Sequence, residues 1–198
     1  MISGIAAQGQ QPEKLGVDPQ DVPQGLEVGE EAPLFKAVDQ HGKEVDLQSL
    51  RSQGPVVLIF YRGHWCPVCN KYLQSFTDSL PMLEKAGAQI IAVTPSTPEN
   101  VAKMSRKFDG QLRILGDHEG TIMEKYGVDF KVTEAYQGKI RKGLEADIAA
   151  SNGQEEARLP VPATYIIDKK GVISWRQFDI NYQNRASVAA ILAHLPSD

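Results

Sequence analysis

The residues best suited to do chemistry are two cysteines, Cys66 and Cys69, the only cysteines in the chain. Two residues separate them, a spacing that lets one thiol capture the other as a disulfide in a two-electron cycle. An apolar run of strand character, residues 56–60, leads into the pair, and a helix is predicted to follow it. Because helix N-termini favour negative charge, they lower the pKa of a thiol placed there. The pattern therefore predicts thiol–disulfide chemistry.

The residues around the pair suggest a role for each side chain. We expect Cys66 at the helix start as the exposed nucleophile, and Cys69 one turn further as the shielded, resolving thiol. Pro67 fits the first helical turn because it has no amide hydrogen to leave unbonded. Trp65 would give a flat apolar surface beside the site, where another protein could dock, and His64 and Arg62 would add polar or positive groups near the thiolate.

Three other interpretations of the cysteine pair carry less weight. Zinc binding needs two further ligands, and the other histidines, His41, His118 and His194, are scattered along the chain. Buried cysteines are often inert core residues, although the tryptophan and proline beside this pair argue against that reading. A structural disulfide is disfavoured because so short a loop removes little entropy from the unfolded chain. No metal site is predicted.

A second signal lies before a predicted late strand. Val161 and Pro162 precede the apolar strand that begins at Ala163. A proline just before a strand suits a cis peptide in a tight turn. If the Val161–Pro162 bond is cis, its backbone could face the disulfide and offer main-chain hydrogen bonds to a thiol partner, so both residues are candidate substrate-binding residues.

Composition limits the class of protein. The 198 residues, 41% of them hydrophobic, suffice for one sizeable core, and the net charge of −4 does not suggest a nucleic-acid or membrane-surface partner. No apolar run approaches the roughly 20 residues needed to cross a bilayer. The start of the chain lacks the pattern of a signal peptide, so the cytoplasm is the expected location. Without a glycine-rich phosphate loop, no flavin or nicotinamide cofactor is expected.

The chain divides into an arm and one domain. Residues 1–25 are rich in Gln, Gly and Pro and predict a poorly ordered arm, and residues 26–198 predict a redox domain. Strands and helices alternate through this domain and end in a hairpin and a helix from Arg185 to His194, which implies a mixed sheet with helices on both faces. A polar, partly helical insertion at about 131–158 interrupts the alternation, and it could cover the site, pair subunits or form a solvated surface.

These features resemble the peroxiredoxin-like branch of the alkyl hydroperoxide reductase/thiol-specific antioxidant family, within the thioredoxin-fold superfamily. The resemblance runs from about Val28 to the terminal helix and is carried by Val28-Gly29-Glu30-Glu31-Ala32-Pro33, by Phe60-Tyr61-Arg62-Gly63-His64-Trp65-Cys66-Pro67-Val68-Cys69 and by Ile166-Ile167-Asp168. It implies an α/β, thioredoxin-like fold of peroxiredoxin type, a three-layer sandwich around a central mixed β-sheet. By analogy with relatives, a homodimer is one candidate oligomeric state.

The resemblance and the local chemistry disagree about the attacking thiol. The family motif Pro-x-x-x-Thr-x-x-Cys places its proline on Arg62, its threonine on Cys66 and its peroxide-attacking cysteine on Cys69. By similarity to thioredoxin, where the first cysteine of the pair at the helix start is the nucleophile, the attacking thiol would be Cys66 instead. The family's late arginine falls on Pro162, so Arg62 or Arg158 would have to supply the positive charge near the thiolate.

Three functions remain open at this stage. The first is a peroxidase that reduces hydrogen peroxide or alkyl hydroperoxides through Cys66 and Cys69 and is recycled by thioredoxin or a similar dithiol protein. The second is a thiol–disulfide oxidoreductase that acts on protein disulfides. The third is a redox-sensing or interaction domain that uses the fold as a scaffold. The whole-length resemblance places the peroxidase slightly ahead.

Overall fold

The computed structural model describes residues 11–196. Its main sheet has five strands in the order β5-β4-β3-β8-β9, and two-stranded sheets pair β1 with β2 and β6 with β7. The strands are β1 (Lys36–Val38), β2 (Glu44–Asp46), β3 (Val56–Phe60), β4 (Gln89–Thr94), β5 (Arg113–Gly116), β6 (Asp129–Lys131), β7 (Arg158–Pro160), β8 (Ala163–Ile167) and β9 (Ile173–Phe178). Because β3 runs parallel to β4 and antiparallel to β8, the sheet is mixed.

Helices cover both faces of this sheet. They are α1 (Leu47–Arg51), α2 (Pro67–Lys85), α3 (Pro98–Lys107), α4 (Thr121–Lys125), α5 (Glu134–Leu144), α6 (Ile148–Asn152) and α7 (Val188–His194). Successive residues of β3 alternate between two cores: Val57 and Ile59 pack with α2, α3 and α7, while Val56, Leu58 and Phe60 pack with α1 and α4. The predicted three-layer sandwich with a central mixed sheet is confirmed.

The elements next to the cysteines follow the sequence prediction closely. The helix predicted to follow residues 56–60 and the cysteine pair is α2, and the predicted hairpin is the antiparallel pair β8–β9. The terminal helix differs, since it begins at Val188 instead of Arg185. Ser187 caps it by accepting a hydrogen bond from the amide of Ala190, so the helix cannot extend back to Arg185.

The insertion at 131–158 packs against the rest of the domain. It contains α5 and α6, from which Tyr136, Ile140 and Ile148 are buried in the core that also holds the cysteines. The predicted arm of residues 1–25 begins outside the described residues. From residue 11 onwards the chain lies against α5: Val17 is buried, and the Gly16 carbonyl accepts a hydrogen bond from the Thr133 amide. The boundary at residue 25 stays a prediction.

Candidate active site

Strand β3 and helix α2 hold the two cysteines between them. β3 is buried along its whole length in the centre of the sheet, and the chain leaves it through Tyr61–Trp65 to reach α2. Cys66 is the N-cap of α2, and its sulfur accepts a hydrogen bond from the Cys69 amide at 3.3 Å. Thus Cys66 takes the position that serine or aspartate often occupies at a helix start, and Cys69 follows in the first turn.

Gly63 makes the turn between β3 and the cysteines possible. Its φ of 146° lies in the region open to glycine, and a Cβ there would come within 2.8 Å of the Trp65 indole nitrogen. A side chain at position 63 would therefore strain the backbone and displace Trp65 from its buried position. The turn fixes where Trp65 and Cys66 enter the site.

Both thiols are free, and both cysteine residues are buried with 0% of their surface exposed. The prediction that Cys66 is exposed is therefore wrong. Its sulfur lies under the guanidinium of Arg62, which donates a hydrogen bond to it at 3.1 Å. Arg62 is itself only 3% exposed, so the cation and the sulfur are buried together.

Aromatic residues from distant parts of the chain hold Arg62 over the sulfur. Arg62 donates to the hydroxyl of Tyr136 on α5 at 2.5 Å, which ties the insertion to the cysteine site. Its guanidinium also lies 3.6 Å from the centre of the Tyr182 ring and 5.2 Å from that of Trp65. Cation–π contacts of this kind stabilise a guanidinium that water does not reach.

A second arginine, which the sequence reasoning did not identify, contacts Cys69. Arg185 lies in the loop before α7 and donates to the Cys69 sulfur at 3.3 Å. It also donates to the Tyr182 carbonyl at 2.6 Å and lies over the Tyr72 ring at 5.0 Å. No local motif marks Arg185, because only the return of the chain along β8, β9 and the following loop brings it to α2. Arg158, the other predicted cation, pairs with Asp129 instead.

The two sulfurs differ in acidity. Burial opposes ionisation of Cys69, but a hydrogen bond from Cys66 and the charges of Arg185 and Arg62 outweigh it, so the pKa of Cys69 lies well below its usual range. The pKa of Cys66 is raised by its hydrogen bond to Cys69, by burial and by the negative charge on Cys69, although Arg62 opposes these effects. Between these two pKa values the pair holds one thiolate, on Cys69, and one thiol, on Cys66.

His64 and Trp65 lie where a groove reaches the site. The groove, of about 660 Å³, runs between the start of α3 and the α5–α6 segment, and both residues line it. Trp65 is only 8% exposed, so it does not offer the flat docking surface predicted for it. His64 is half-buried, and its pKa is lowered by burial and by the nearby charge of Lys103, which favours the neutral ring.

The geometry at Val161 and Pro162 differs from the expectation. Residues 11–196 contain no cis peptide bond, so the Val161–Pro162 bond is trans. Both residues are buried, and the Val161 amide already donates to the Val128 carbonyl at 2.7 Å. The predicted main-chain hydrogen bonds to a thiol partner would need this contact to break. A role for the two residues toward a substrate stays a prediction.

The comparisons with known proteins identify the family of this chain. The sequence model of the AhpC/TSA family matches residues 28–176. The chain belongs to the AhpC/TSA family. Within residues 11–196, no group of three or more His, Cys, Asp and Glu side chains could hold a metal ion, and no helix is long and apolar enough to cross a membrane.

Relatives of this AhpC/TSA chain carry names from both chemical classes considered above. A Coxiella burnetii protein with the provisional name peroxiredoxin bcp is 29% identical over 75% of this chain and 86% of its own. Chloroplastic peroxiredoxin Q of Populus jackii is 28% identical over 73% of this chain and 57% of its own. The thiol-disulfide oxidoreductase ResA of Bacillus thuringiensis is 25% identical over 75% of this chain and 68% of its own.

A solved structure supports the family's fold for this chain. The crystal structure of peroxidoxin BcpB from Mycobacterium tuberculosis superposes with a TM-score of 0.65. The superposition covers 85% of this chain and 96% of that one, at 21% sequence identity. The thioredoxin-like architecture that the resemblance implied is therefore present.

Proposed function

We propose that this protein is a thiol peroxidase that reduces hydrogen peroxide or an alkyl hydroperoxide through Cys69. The observation that carries the proposal is the buried Cys69 sulfur in contact with the Arg185 guanidinium, an environment that holds the pKa of Cys69 well below its usual range. Thiolates and not thiols are the nucleophiles in such reactions. Membership of the AhpC/TSA family supports the same chemistry.

The site supports each step of a peroxidase cycle. The Cys69 thiolate attacks one peroxide oxygen, the O–O bond breaks, and the leaving oxygen takes up a proton to give water or an alcohol. Arg185 and Arg62 carry fixed positive charge where that leaving oxygen becomes negative, which lowers the barrier. The Cys66 thiol then attacks the Cys69 sulfenic acid, water leaves, and the Cys66–Cys69 disulfide forms.

Burial of the sulfurs favours a small reactant. Arg62 contacts the Cys66 sulfur and Arg185 the Cys69 sulfur, and Tyr136 on α5 holds Arg62 in place, so neither sulfur is open to solvent. A peroxide is small enough to approach a sulfur through small movements of these side chains, whereas a protein partner must first dock on the groove lined by His64 and Trp65. We propose that thioredoxin or a similar dithiol protein reduces the disulfide. We also propose that the protein acts in the cytoplasm.

Single-cysteine variants test the proposal. In stopped-flow mixing with hydrogen peroxide, followed by tryptophan fluorescence, the reduced wild-type protein should react far faster than a free thiol. C69S should lose the fast reaction. C66S should keep it but stop at a sulfenic acid, which a dimedone adduct detected by mass spectrometry would reveal. Wild-type oxidation at the rate of a free thiol would contradict the proposal, and a fast C69S would assign the attack to Cys66.

A second candidate function is exchange with protein disulfides. Cys66 as N-cap of α2, with the groove beside Trp65 and His64 next to it, favours this reading. It predicts that C66S abolishes activity and that C69S accumulates mixed disulfides with a disulfide-containing protein. If C69S traps none when incubated with oxidised insulin, this candidate is excluded for that class of substrate.

A further inference from the structure

Within residues 11–196, the cysteine pair is the only source of negative charge among the hydrogen-bond partners of the two active-site arginines, since Arg62 donates to the Cys66 sulfur and Arg185 to the Cys69 sulfur. Apart from the sulfurs, their hydrogen-bond partners are neutral: the Tyr136 hydroxyl for Arg62 and the Tyr182 carbonyl for Arg185. None of the ion pairs found within residues 11–196 includes either arginine. Two guanidiniums therefore share a single counter-charge, and that charge belongs to the redox pair.

Forming the disulfide removes this counter-charge. The Cys69 thiolate disappears when the S–S bond forms, while Arg62, which is only 3% exposed, remains a cation. A buried charge without a partner is strongly unfavourable. The fold thus stabilises the reduced, ionised pair relative to the disulfide, and stabilising the reduced form makes a disulfide more oxidising.

We propose that the Cys66–Cys69 disulfide is a strong oxidant that passes its oxidising equivalents to protein dithiols. The protein would then couple the reduction of a peroxide to the formation of a disulfide in a partner. The peroxide half of this cycle rests on the proposed function, whereas the oxidising strength of the disulfide does not depend on it.

The exchange with a dithiol partner balances without a further reactant. One partner thiolate attacks the Cys66 sulfur, forming a mixed disulfide and releasing Cys69 as a thiolate. Arg185 faces that leaving sulfur, and a stabilised thiolate leaves faster. The second partner thiol then attacks the partner's own sulfur, which releases Cys66, and the proton of that thiol passes to Cys66. The partner has lost two electrons and the Cys66–Cys69 pair has gained them.

The groove gives the partner an approach to Cys66. His64 and Trp65, which immediately precede Cys66 in the chain, line the groove, and Leu144, 38% exposed, adds an apolar side chain to a lining that is otherwise largely polar. Arg185 is only half-buried, and disulfide formation removes the thiolate charge that attracts it to Cys69. We therefore expect Arg185 to cover the sulfurs less tightly in the state that the partner must attack.

Equilibration with glutathione tests the oxidising strength with no peroxide present. The full chain is brought to equilibrium over a series of reduced-to-oxidised glutathione ratios, and its thiols are counted by alkylation and mass spectrometry. We expect R185Q to form the disulfide at least tenfold more readily than the wild type, which corresponds to about 30 mV. The equilibrium constant of R185K, which keeps the charge, should lie closer to the wild-type value. That of R106Q, which removes an exposed arginine, should equal the wild-type value. Equal constants for R185Q and wild type would overturn the proposal.

Unfolding of the wild-type protein gives a second test that needs no variant. If the fold disfavours the disulfide, the oxidised protein must unfold at a lower urea concentration than the reduced protein, by thermodynamic linkage. Disulfides ordinarily have the opposite effect, because they restrict the unfolded chain. An oxidised protein more stable than the reduced one would contradict the proposal.

A turnover assay separates this activity from the peroxidase step. A peptide with two spaced cysteines is mixed with a stoichiometric amount of oxidised protein, without peroxide, and then with catalytic protein plus hydrogen peroxide. We expect peptide disulfide in both mixtures. Product in the first mixture alone would leave the oxidant proposal standing and count against the peroxidase. No product in the first would overturn the oxidant proposal, whatever the rate of peroxide reduction.

Discussion

The Arg185 guanidinium lies 3.3 Å from the Cys69 sulfur, although 116 positions separate the two residues in the chain. The charge that faces the more acidic thiol therefore comes from the loop before α7 and not from the motif around the cysteines. Helix α7 anchors that loop, since Ile191 is fully buried in the same core as the cysteines. The C-terminal part of the chain thus contributes a charged side chain, Arg185, to the site.

Removing the charge of Arg185 should slow the reaction with peroxide. In R185Q the Cys69 pKa rises, because one of the cations that stabilise its thiolate is lost. We expect the second-order rate constant with hydrogen peroxide at pH 7 to fall by roughly 10²-fold, the usual effect of losing one charge-stabilising donor. Stopped-flow measurements over a pH series should also show the rate rising at higher pH than in the wild type.

The control for this prediction keeps the charge. R185K should recover a large part of the rate and of the wild-type pH profile, although lysine lacks the planar fork of arginine. If R185Q and the wild type share the same pH profile, Arg185 does not set the acidity of the attacking thiol, and the assignment of its role is wrong.

The local chemistry of the cysteines could be predicted from the sequence, but their surroundings could not. A buried strand, a Cys-x-x-Cys with proline and a helix are all encoded within residues 56–85, where sequence neighbours are also spatial neighbours. Arg62 was identified for the same reason. By contrast, Tyr136, Tyr182 and Arg185 reach the site from other elements, and no periodicity reports such contacts. The exposure predicted for Cys66 is wrong because Arg62, held in place by Tyr136 and Tyr182, covers its sulfur.

Tyr182 should stabilise the site through the face of its ring. Its ring centre lies 3.6 Å from the guanidinium of Arg62, a side chain that is only 3% exposed. We expect Y182L to lower the free energy of unfolding by about 2 kcal/mol, as a desolvated cation–π contact is lost. Y182F keeps the ring face and should lose less than about 1 kcal/mol. Urea unfolding of the reduced variants measures both, and equal losses would show that the ring face contributes nothing.

Asp117 should give the protein a pH-dependent stability of its own, away from the cysteines. Its carboxylate accepts hydrogen bonds from the amides of Ile122 and Met123 at the start of α4. Burial raises the pKa of Asp117 to about 6, even though these amides act in the opposite direction. The native state therefore holds a proton that the unfolded state, with a pKa of about 3.9, has released.

The sign of the effect follows from this difference. Asp117's contribution to stability is fully present below about pH 4 and is lost as the pH rises to about 6. In D117N, which cannot titrate, this decline should be absent, and the difference between variant and wild type should change across that window. Urea midpoints at a series of pH values give the comparison, with E119Q as a control on the same loop. Parallel curves for D117N and wild type would contradict the assignment.

Two glycines offer a matched test of the turn that delivers the cysteines. Gly63 has a φ of 146°, and an added Cβ would lie 2.8 Å from the Trp65 indole nitrogen. Gly138 lies inside α5, and apart from its chain neighbours and the backbone of its own helix no heavy atom lies within 4 Å of such a Cβ. We expect G63A to lower the free energy of unfolding by about 1–3 kcal/mol through backbone strain, and to slow the reaction with peroxide because Trp65 and Cys66 shift. G138A should instead stabilise the protein by about 0.5–1 kcal/mol, since alanine favours a helix interior.

Urea unfolding and stopped-flow oxidation of the two variants distinguish these outcomes. A G63A protein as stable and as reactive as the wild type would show that the turn does not need glycine to position the site.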